Sequence, residues 1–361
     1  MDDPTVTVYE SRAAEWASKR AAGVGPEAEK FAGTIRRRRA PARIVDLGCG
    51  PGWHSAQLGG GPVLAIDAAR AMLELVPDHA PGAWRVQADL AALPVRPRSI
   101  DAAWASKSYV HLARRQMPAA LAELHRATAP DARVSLALFG GDMEHGEFPR
   151  DDFAGRRFSL WPDDLLDEVV TGAGFQIESS TRRRKGDTID LRLRLRRLRT
   201  LPDYVGPDMR LLLVGLNPSL YAADRGVGFA RPGNRFWPAA RAAGLVTRDR
   251  DPRHALLVHG VGMTDLAKRA TTRADELTGD EYRGGHARVA RLAAWLRPRA
   301  VCVIGLGGWR VAVNRRAVPG VQTESLGDVP VYLMPNTSGL NARVPLSELA
   351  EHLRSALDLA G

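Results

Sequence analysis

An alternation of short apolar strands with amphipathic helices begins twice along this chain, and this repetition most constrains the fold. The first series has strand-like segments at 43–47, 63–66, 84–87, 100–104 and 133–139. Helical spacing occupies the intervals, as at 117–129, and a further helix is predicted at 8–22. The series closes with a predicted hairpin of strands at 174–178 and 189–195. Such βαβ units predict a mostly parallel sheet.

The second series starts after residue 208 and predicts a separate domain. Strands are expected at 210–216, 300–305 and 329–334, and helices at 234–243, 284–296 and 346–359. With 361 residues the chain is long enough for two domains. Prolines and a glycine punctuate 201–208, which predicts a linker between domains at 1–200 and 209–361. The predicted fold class is therefore α/β in two domains.

Composition narrows the class of protein without fixing its function. Hydrophobic residues make up 45% of the chain, yet we find no apolar run long enough to cross a bilayer and no signal-like N-terminus. The two cysteines, Cys49 and Cys302, sit in apolar strand-like contexts, which argues against a disulfide or a zinc site and favours a cytoplasmic protein. The net charge of +10 favours polyanionic partners, although arginine-rich usage can also reflect genomic base composition.

A glycine-rich turn follows the first strand, with Gly48, Gly50 and Gly52 in five residues. Glycines let the backbone approach a ligand closely, and the helix that follows offers free N–H groups. Asp67 and Asp89 end the next two strands, where carboxylates can accept from ribose hydroxyls or lie near an adenine amino group. The pattern predicts a nucleotide-type cofactor. A dinucleotide fold is the alternative, but the G-C-G-P-G spacing fits it poorly, since no third glycine stands where that fold packs its helix against the strand.

Residues 7–200 resemble the class I S-adenosylmethionine-dependent methyltransferases. The matching motifs are D-L-G-C-G-P-G, the I-D after the second strand, A-D-L-x-x-L-P and S-I-D-A-A-W. The resemblance implies a Rossmann-like sheet and S-adenosyl-L-methionine as cofactor. It assigns the methionine part to Asp46, Gly48 and Gly50, the ribose to Asp67, the adenine to Asp89, and a covering helix to Tyr9 and Trp16.

The methyl acceptor stays open at this stage. The chain lacks the N/D-P-P-Y/F motif of amino-group DNA methyltransferases and the Pro-Cys nucleophile of cytosine-C5 enzymes. Tyr109 and His111 either line an acceptor pocket or simply pack, and packing is the expected role. Methyl transfer needs mainly proximity and an in-line approach, so no fixed motif identifies the acceptor.

Three motifs in the second half predict a site for a nucleobase. L-L-L-V-G-L-N-P-S delivers Asn217 at the end of a buried strand, where sites in open α/β sheets lie. The loop at 226–237 contains Gly228 and Phe229, and an exposed phenyl ring offers a flat surface for a base. A third loop, 334–343, carries an apolar residue at its tip, Leu340, suited to fill the gap left by an extruded nucleotide.

In this order and spacing the three motifs resemble the mismatch-specific uracil/thymine-DNA glycosylase family. The resemblance implies a three-layer α/β/α domain with a parallel sheet, acting on double-stranded DNA with G·U or G·T mispairs. Ser219 replaces a glycine of the family motif, and Thr337 replaces a proline. Roles then follow for catalysis by Asn217, for base binding by Phe229, Ser219 and Gly228, and for the DNA wedge and backbone by Asn336, Ser338, Gly339, Leu340, Asn341 and Arg343.

The resemblance also suggests a mechanism, since an amide cannot accept a proton and Asn217 would instead orient a water. The motifs contain no lysine nucleophile, which predicts a monofunctional enzyme, and no metal-ligand cluster is apparent. A methyltransferase whose second half only binds DNA is the alternative, as is a first half that only binds cofactor or acts as a scaffold. The basic run at 182–185, continued by Arg192, Arg194, Arg196 and Arg197, is either a solvated or cross-paired face or a DNA-binding stripe.

Overall fold

The computed structural model describes residues 3–20, 25–35, 41–59, 61–149, 151–339 and 343–361. The chain divides into two compact units. Unit 1 comprises Met1–Thr171 and Phe175–Leu198, and unit 2 comprises Gly172–Gly174 and Arg199–Gly361. Each unit has an α/β fold with its own β-sheet and its own helices, as the two alternating series predict.

Unit 1 is built on one large sheet in the order β3-β2-β1-β4-β5-β8-β7, with β6 pairing β5. The strands β1 to β5 run parallel, whereas β8 is antiparallel to both β5 and β7. The parallel strands therefore share one carboxyl edge, which is where the glycine turn lies. The strands are β1 (Ile44–Leu47), β2 (Val63–Asp67), β3 (Trp84–Gln87), β4 (Ile100–Ser106), β5 (Thr128–Gly140), β6 (Leu160–Trp161), β7 (Phe175–Lys185) and β8 (Thr188–Arg197).

Where a single helix was predicted at 8–22, the described residues form two shorter helices, because the first ends at Ser11 with Arg12 as its C-cap; residues 21 and 22 lie outside the described residues. Asp3 caps the start of the first helix, accepting a hydrogen bond of 2.7 Å from the backbone N–H of Thr5. The predicted helix at 117–129 ends earlier, at Ala127, because Thr128 already belongs to β5. The helices are α1 (Pro4–Ser11), α2 (Ala13–Arg20), α3 (Glu27–Ala32), α4 (Trp53–Gln57), α5 (Arg70–Glu74), α6 (Val76–His79), α7 (Met117–Ala127) and α8 (Asp163–Gly172).

Unit 2 has a smaller sheet in the order β10-β9-β11-β13-β12. Its strands are parallel except β12, which pairs antiparallel with β13. The apolar strands β9 and β11 lie in the middle and are fully buried, which explains their continuous apolar sequences. The strands are β9 (Leu211–Gly215), β10 (Val261–Asp265), β11 (Ala300–Ile304), β12 (Gly320–Val321) and β13 (Val331–Met334).

The longest helix of unit 2 starts earlier than the apolar spacing predicts. Thr278 and Glu281 form a capping box, in which each side chain accepts from the other's backbone N–H. No helix within the described ranges is both long and apolar enough to cross a bilayer. The helices are α9 (Leu220–Arg225), α10 (Phe236–Ala242), α11 (Pro252–His259), α12 (Gly279–Leu296), α13 (Leu306–Ala312) and α14 (Leu346–Asp358).

The segment 201–208, predicted as a linker, is packed into unit 2. Residues 201–206 are buried, and Tyr204 exchanges backbone hydrogen bonds of 2.8 and 2.9 Å with Met263. The buried carboxylate of Asp203 binds Lys268 and Arg288, each at 2.7 Å. Prolines and a glycine predict that this segment is irregular, but they do not predict the ion pairs of Asp203 that hold it in place.

Candidate active sites

Asn217 lies just beyond the carboxyl end of β9 and is half-buried. Its side-chain nitrogen donates to the backbone carbonyl of Arg269 at 3.0 Å and to the hydroxyl of Thr271 at 2.7 Å. A longer contact of 3.2 Å reaches the carbonyl of Pro218. Because all three partners are acceptors here, the amide is fixed with its nitrogen toward the protein.

Thr271 determines which way this amide points. Its hydroxyl donates to the carbonyl of Arg273 at 2.7 Å, so it can only accept from Asn217. Its backbone N–H also donates to Pro218, and its carbonyl accepts from Leu220. The arrangement leaves Oδ1 of Asn217 available as an acceptor. Sequence analysis did not identify Thr271, because only the fold brings it beside Asn217.

The loop before α10 places an aromatic ring at the same edge of the sheet. Phe229 adopts a left-handed backbone with φ of 58° and stacks on Phe236, with ring centroids 4.3 Å apart. Trp237 donates through Nε1 to the carbonyl of Gly228 at 2.9 Å and so anchors the loop. A Cβ on Gly215 would lie 3.4 Å from Cζ of Phe229, which puts the ring beside the end of β9.

The third motif is tied to this same loop. Thr337 is buried, and its hydroxyl donates to Oδ1 of Asn234 at 3.1 Å. The backbone N–H of Arg235 donates to the carbonyl of Thr337 at 3.0 Å. Ser338 donates through its backbone to Oδ1 of Asn336 at 2.8 Å. Gly339 lies close to Gly233 and Arg343 is exposed, whereas Leu340 and Asn341 lie outside the described residues.

In unit 1 the glycine turn after β1 packs very tightly. Gly48 has φ of 67°, and a Cβ there would lie 2.2 Å from Cβ of Ser108. Gly50 has φ of 54°, and the ring of Trp16 lies 3.7 Å from where its Cβ would be. The hydroxyl of Ser108 and Nε1 of Trp16 are buried without a hydrogen-bond partner among the described residues. Beside glycines held at positive φ, these two groups lie where a bound ligand could supply the missing hydrogen bonds.

The carboxylates of unit 1 differ in what they bind. Asp67 accepts from the backbone N–H groups of Gly50 and Ala69, both at 2.9 Å, and therefore organises the turn. Asp46 is buried and accepts from the hydroxyl of Ser55 at 2.7 Å. Burial raises the pKa of Asp46 to about 7.

Asp89 is half-buried and follows β3 at the same edge of the sheet. Its carboxylate accepts from the backbone N–H of Ala91 at 2.8 Å. Apart from Tyr9, which lies in α1, the predicted cofactor residues thus lie at or shortly beyond the carboxyl ends of three adjacent parallel strands, β1, β2 and β3.

Both halves match known families in the regions that carry these sites. Residues 44–131 match the family model described as a methyltransferase domain. Residues 202–358 match the model of the uracil DNA glycosylase superfamily. The chain carries one domain of each kind. Unit 1 thus contains the methyltransferase domain, and unit 2 is the glycosylase-superfamily domain.

Several solved structures that are similar to this chain are methyltransferases. A 1,6-didemethyltoxoflavin-N1-methyltransferase of Burkholderia thailandensis is 21% identical over 53% of this chain and 88% of its own, with a TM-score of 0.41. A magnesium protoporphyrin IX methyltransferase of Synechocystis is 16% identical over 55% and 98%, with a TM-score of 0.42. A methyltransferase of Methanosarcina mazei is 17% identical over 46% and 97%, with a TM-score of 0.41. At this distance none of them assigns a substrate to this chain.

The glycosylase-superfamily domain also holds a carboxyl group to which the sequence analysis gave no role. Asp265 ends β10, directly beside the end of β9. A Cβ on Gly215 would lie 2.4 Å from its Oδ1, so Asp265 and the ring of Phe229 flank the same point. Desolvation by burial raises the pKa of Asp265 to about 6.

A buried ion-pair network supports this edge of the glycosylase-superfamily domain. Asp203 accepts from Lys268 and Arg288, and Arg288 also donates to the carbonyl of Asp265 at 2.6 Å. Burial lowers the pKa of Lys268, an effect that Asp203 opposes. The ammonium group of Lys268 thus donates to Asp203. Lys268 directly precedes Arg269, whose carbonyl accepts from Asn217.

In the methyltransferase domain, Tyr9 and His111 form a closed pair. Nδ1 of His111 lies 2.7 Å from the carbonyl of Arg157, so it carries a proton and leaves Nε2 to accept from Tyr9 at 3.0 Å. Burial lowers the pKa of His111 to about 4, so the ring is neutral near pH 7. Arg156 donates to the hydroxyl of Tyr9 at 2.9 Å.

Tyr109 is fully buried, and its hydroxyl has no hydrogen-bond partner among the described residues. His111 is bonded to other protein groups at both ring nitrogens. In this structure Tyr109 is therefore packed in the core, and His111 is held by hydrogen bonds to Tyr9 and to the carbonyl of Arg157. No group of His, Cys, Asp and Glu within the described ranges is arranged to hold a metal ion.

Proposed function

We propose that unit 2 is a DNA glycosylase that hydrolyses the N-glycosidic bond of uracil mispaired with guanine in duplex DNA. The orientation of Asn217 is the observation that carries this proposal. Its nitrogen is held by Thr271 and by the carbonyl of Arg269, so Oδ1 is left to accept a hydrogen bond from a water. A water held in this way can attack the sugar carbon of an extruded nucleotide.

The remaining residues of the site would receive the base and hold the opened duplex. Phe229 would stack on the pyrimidine, with Ser219 and Gly228 beside it. Leu340 would fill the position in the DNA duplex that the extruded nucleotide vacates. Arg343 and the polar groups of 336–341 would bind the DNA backbone. Mispaired bases cost less to extrude than correctly paired ones, which favours G·U and G·T mispairs as substrates.

The chemistry would be hydrolysis without a covalent enzyme intermediate. Asn217 cannot accept a proton, so the base departs as an anion stabilised by fixed donors. An amide instead of a general base at position 217 costs about 10²–10³-fold in rate, so turnover is slow. Lys268 donates to Asp203 instead of being free as a nucleophile, which supports a monofunctional enzyme that leaves an abasic site.

Replacement of Asn217 tests the glycosylase proposal. Asn217→Ala should reduce single-turnover release of uracil from a G·U duplex to background, while duplex affinity is retained, because the water loses its acceptor. Asn314→Ala removes an amide elsewhere in unit 2, bonded to Glu324, and should leave the rate unchanged. Normal release by Asn217→Ala would refute the mechanism, and parallel reactions on G·T and alkylated-cytosine duplexes would define base preference.

For unit 1 we propose binding of S-adenosyl-L-methionine, with transfer of its methyl group to an acceptor. Support comes from the partnerless hydroxyl of Ser108 beside Gly48 and the partnerless Nε1 of Trp16 beside Gly50. S-adenosyl-L-methionine would supply the electrophilic methyl group, while the chain binds and orients the cofactor. Asp46, Gly48 and Gly50 would hold its methionine part, Asp67 its ribose and Asp89 its adenine, under Tyr9.

Labelled S-adenosylmethionine, added with and without DNA, tests this second proposal. Saturable binding and transfer of label to an acceptor would support an active methyltransferase. Binding without transfer would reduce unit 1 to a cofactor-binding scaffold, and failure to bind would refute the proposal.

A further inference from the structure

The basic residues at 182–197 do not form one stripe, because the structure gives them different surroundings. Arg182 pairs with Asp163. Arg194 lies half-buried over the ring of Phe31, 4.9 Å from its centroid. Arg196 pairs with Asp131 and Glu178, and Arg197 is buried. These four arginines therefore stabilise unit 1 itself.

Three other cations of the run, Arg183, Arg184 and Lys185, are exposed, and Nε of Arg184 donates to the carbonyl of Gly186 at 3.4 Å. Arg183 and Lys185 lie near the end of β7, the edge strand of the sheet, and have no ion pair among the described residues. They are two residues apart, so both project from the same face of the strand. Long cationic side chains held in this way on an edge strand are available to a partner.

Strand register extends this face to neighbouring strands. Opposite residues of an antiparallel pair project on the same side, and the register pairs Arg183 with Asp190 and Thr181 with Arg192. Arg192 thus shares the face of Arg183. Nζ of Lys107 lies 2.8 Å from Oδ1 of Asp190 and so belongs to it as well. We call Lys107, Arg183, Lys185 and Arg192 the basic face.

Cations outnumber acids on and around the basic face. Asp190 lies within it but is paired with Lys107, and Asp187 lies in the adjoining turn. The remaining positive charge lies on β7 and β8, the two outermost strands at one edge of the large sheet. Arginine and lysine side chains on such a face bind the phosphates of DNA without reading its sequence.

The basic face also reaches the edge of the sheet where the glycine turn lies. Lys107 directly follows β4, and the turn between β7 and β8 lies beside Gly140, the last residue of β5. Ligands of open α/β sheets bind at this carboxyl edge. We propose that unit 1 binds the phosphate backbone of duplex DNA on the basic face, next to its own site.

The experiment compares two double variants of the full chain that remove equal charge from opposite faces of one strand. Arg183→Gln/Lys185→Gln alters the basic face, and Arg182→Gln/Arg184→Gln is the matched control. Fluorescence anisotropy would follow binding to a uracil-free duplex over a series of salt concentrations. Each lost phosphate contact should reduce the slope of log K against log salt by about 0.9.

We expect the basic-face variant to lose nearly two units of slope and several-fold in affinity, with little change in the control. Equal losses in both variants, or no loss in either, would overturn the proposal. Tighter binding of duplex RNA through the same residues would overturn the assignment to DNA. Because the duplex contains no uracil, the outcome is independent of glycosylase activity, and it should be the same in an Asn217→Ala background.

Discussion

The two units place their candidate sites at the same position, the carboxyl edge of a parallel sheet, but prepare them differently. In unit 2 the decisive side chain is already held, since Thr271 and the carbonyl of Arg269 fix the amide of Asn217. In unit 1 the turn is tight, yet the hydroxyl of Ser108 and Nε1 of Trp16 are buried without partners among the described residues.

The difference follows from where the chemistry comes from. A site that acts through its own side chain must be arranged in advance, because reorganisation would consume rate enhancement. A site whose reactive group arrives with a ligand can leave polar atoms unsatisfied until the ligand supplies their hydrogen bonds. Variants that disturb each arrangement therefore test the comparison directly.

The largest effect is expected at Thr271. Thr271→Val should lower single-turnover uracil release about tenfold or more, because an amide that loses a hydrogen bond worth about 1–2 kcal/mol is free to rotate. Thr271→Ser keeps the hydroxyl and should restore most of the rate. If valine and serine variants are equally active, Asn217 is not held in the way described. Duplex affinity should be unchanged in both, which separates orientation from folding.

A second effect is expected at Gly48. Gly48→Ala should weaken binding of S-adenosylmethionine about tenfold, because a Cβ forced against Ser108 displaces a turn held at positive φ. Gly82→Ala is the matched control, since its Cβ would meet nothing within 4 Å. Calorimetric titration measures both. Equal affinities would mean that the turn is not part of the cofactor site, and uracil release should be the same in both variants.

The smallest effect is expected at Asp265 and is seen in pH dependence. A carboxyl whose folded pKa is about 6, against about 3.9 unfolded, stays protonated longer in the native state. Its contribution to stability is therefore present at low pH and declines as pH rises from about 4 to 6.

Asp265→Asn removes this titration. Thermal melting of the variant and the wild type should agree near pH 3.5, and the variant should melt a few degrees higher near pH 7.5. Asp280→Asn, at an exposed position, serves as the control. A constant difference between variant and wild type across this range would contradict the buried carboxyl.

Local sequence predicted most of the fold, since strands and helices with strong apolar periodicity occur where expected. It missed β10, whose sequence Val261–Asp265 mixes polar and small residues, because its strand conformation comes from pairing with β9. It also missed the two-residue β12. Segment 201–208 was predicted only as irregular and linking, and its buried contacts were not predicted, because they depend on distant partners such as Lys268 and Arg288.

The candidate sites show the same limit. Motif spacing indicated Asn217, Phe229 and the glycine turn, whose roles remain proposals. It gave no role to Asp265, which parallel strand pairing places beside Gly215, and it did not indicate Thr271, which a loop places beside Asn217. Single residues of common type carry no local signal, and only the folded chain shows what they contact.

Gly215 has a consequence for how this domain can diverge. The absent side chain leaves the space that the carboxyl of Asp265 occupies. Any larger residue at position 215 would require a smaller or differently oriented one at position 265, so the two positions are expected to change together. Efforts to redesign base preference should therefore treat them as one unit and randomise both positions in a single library.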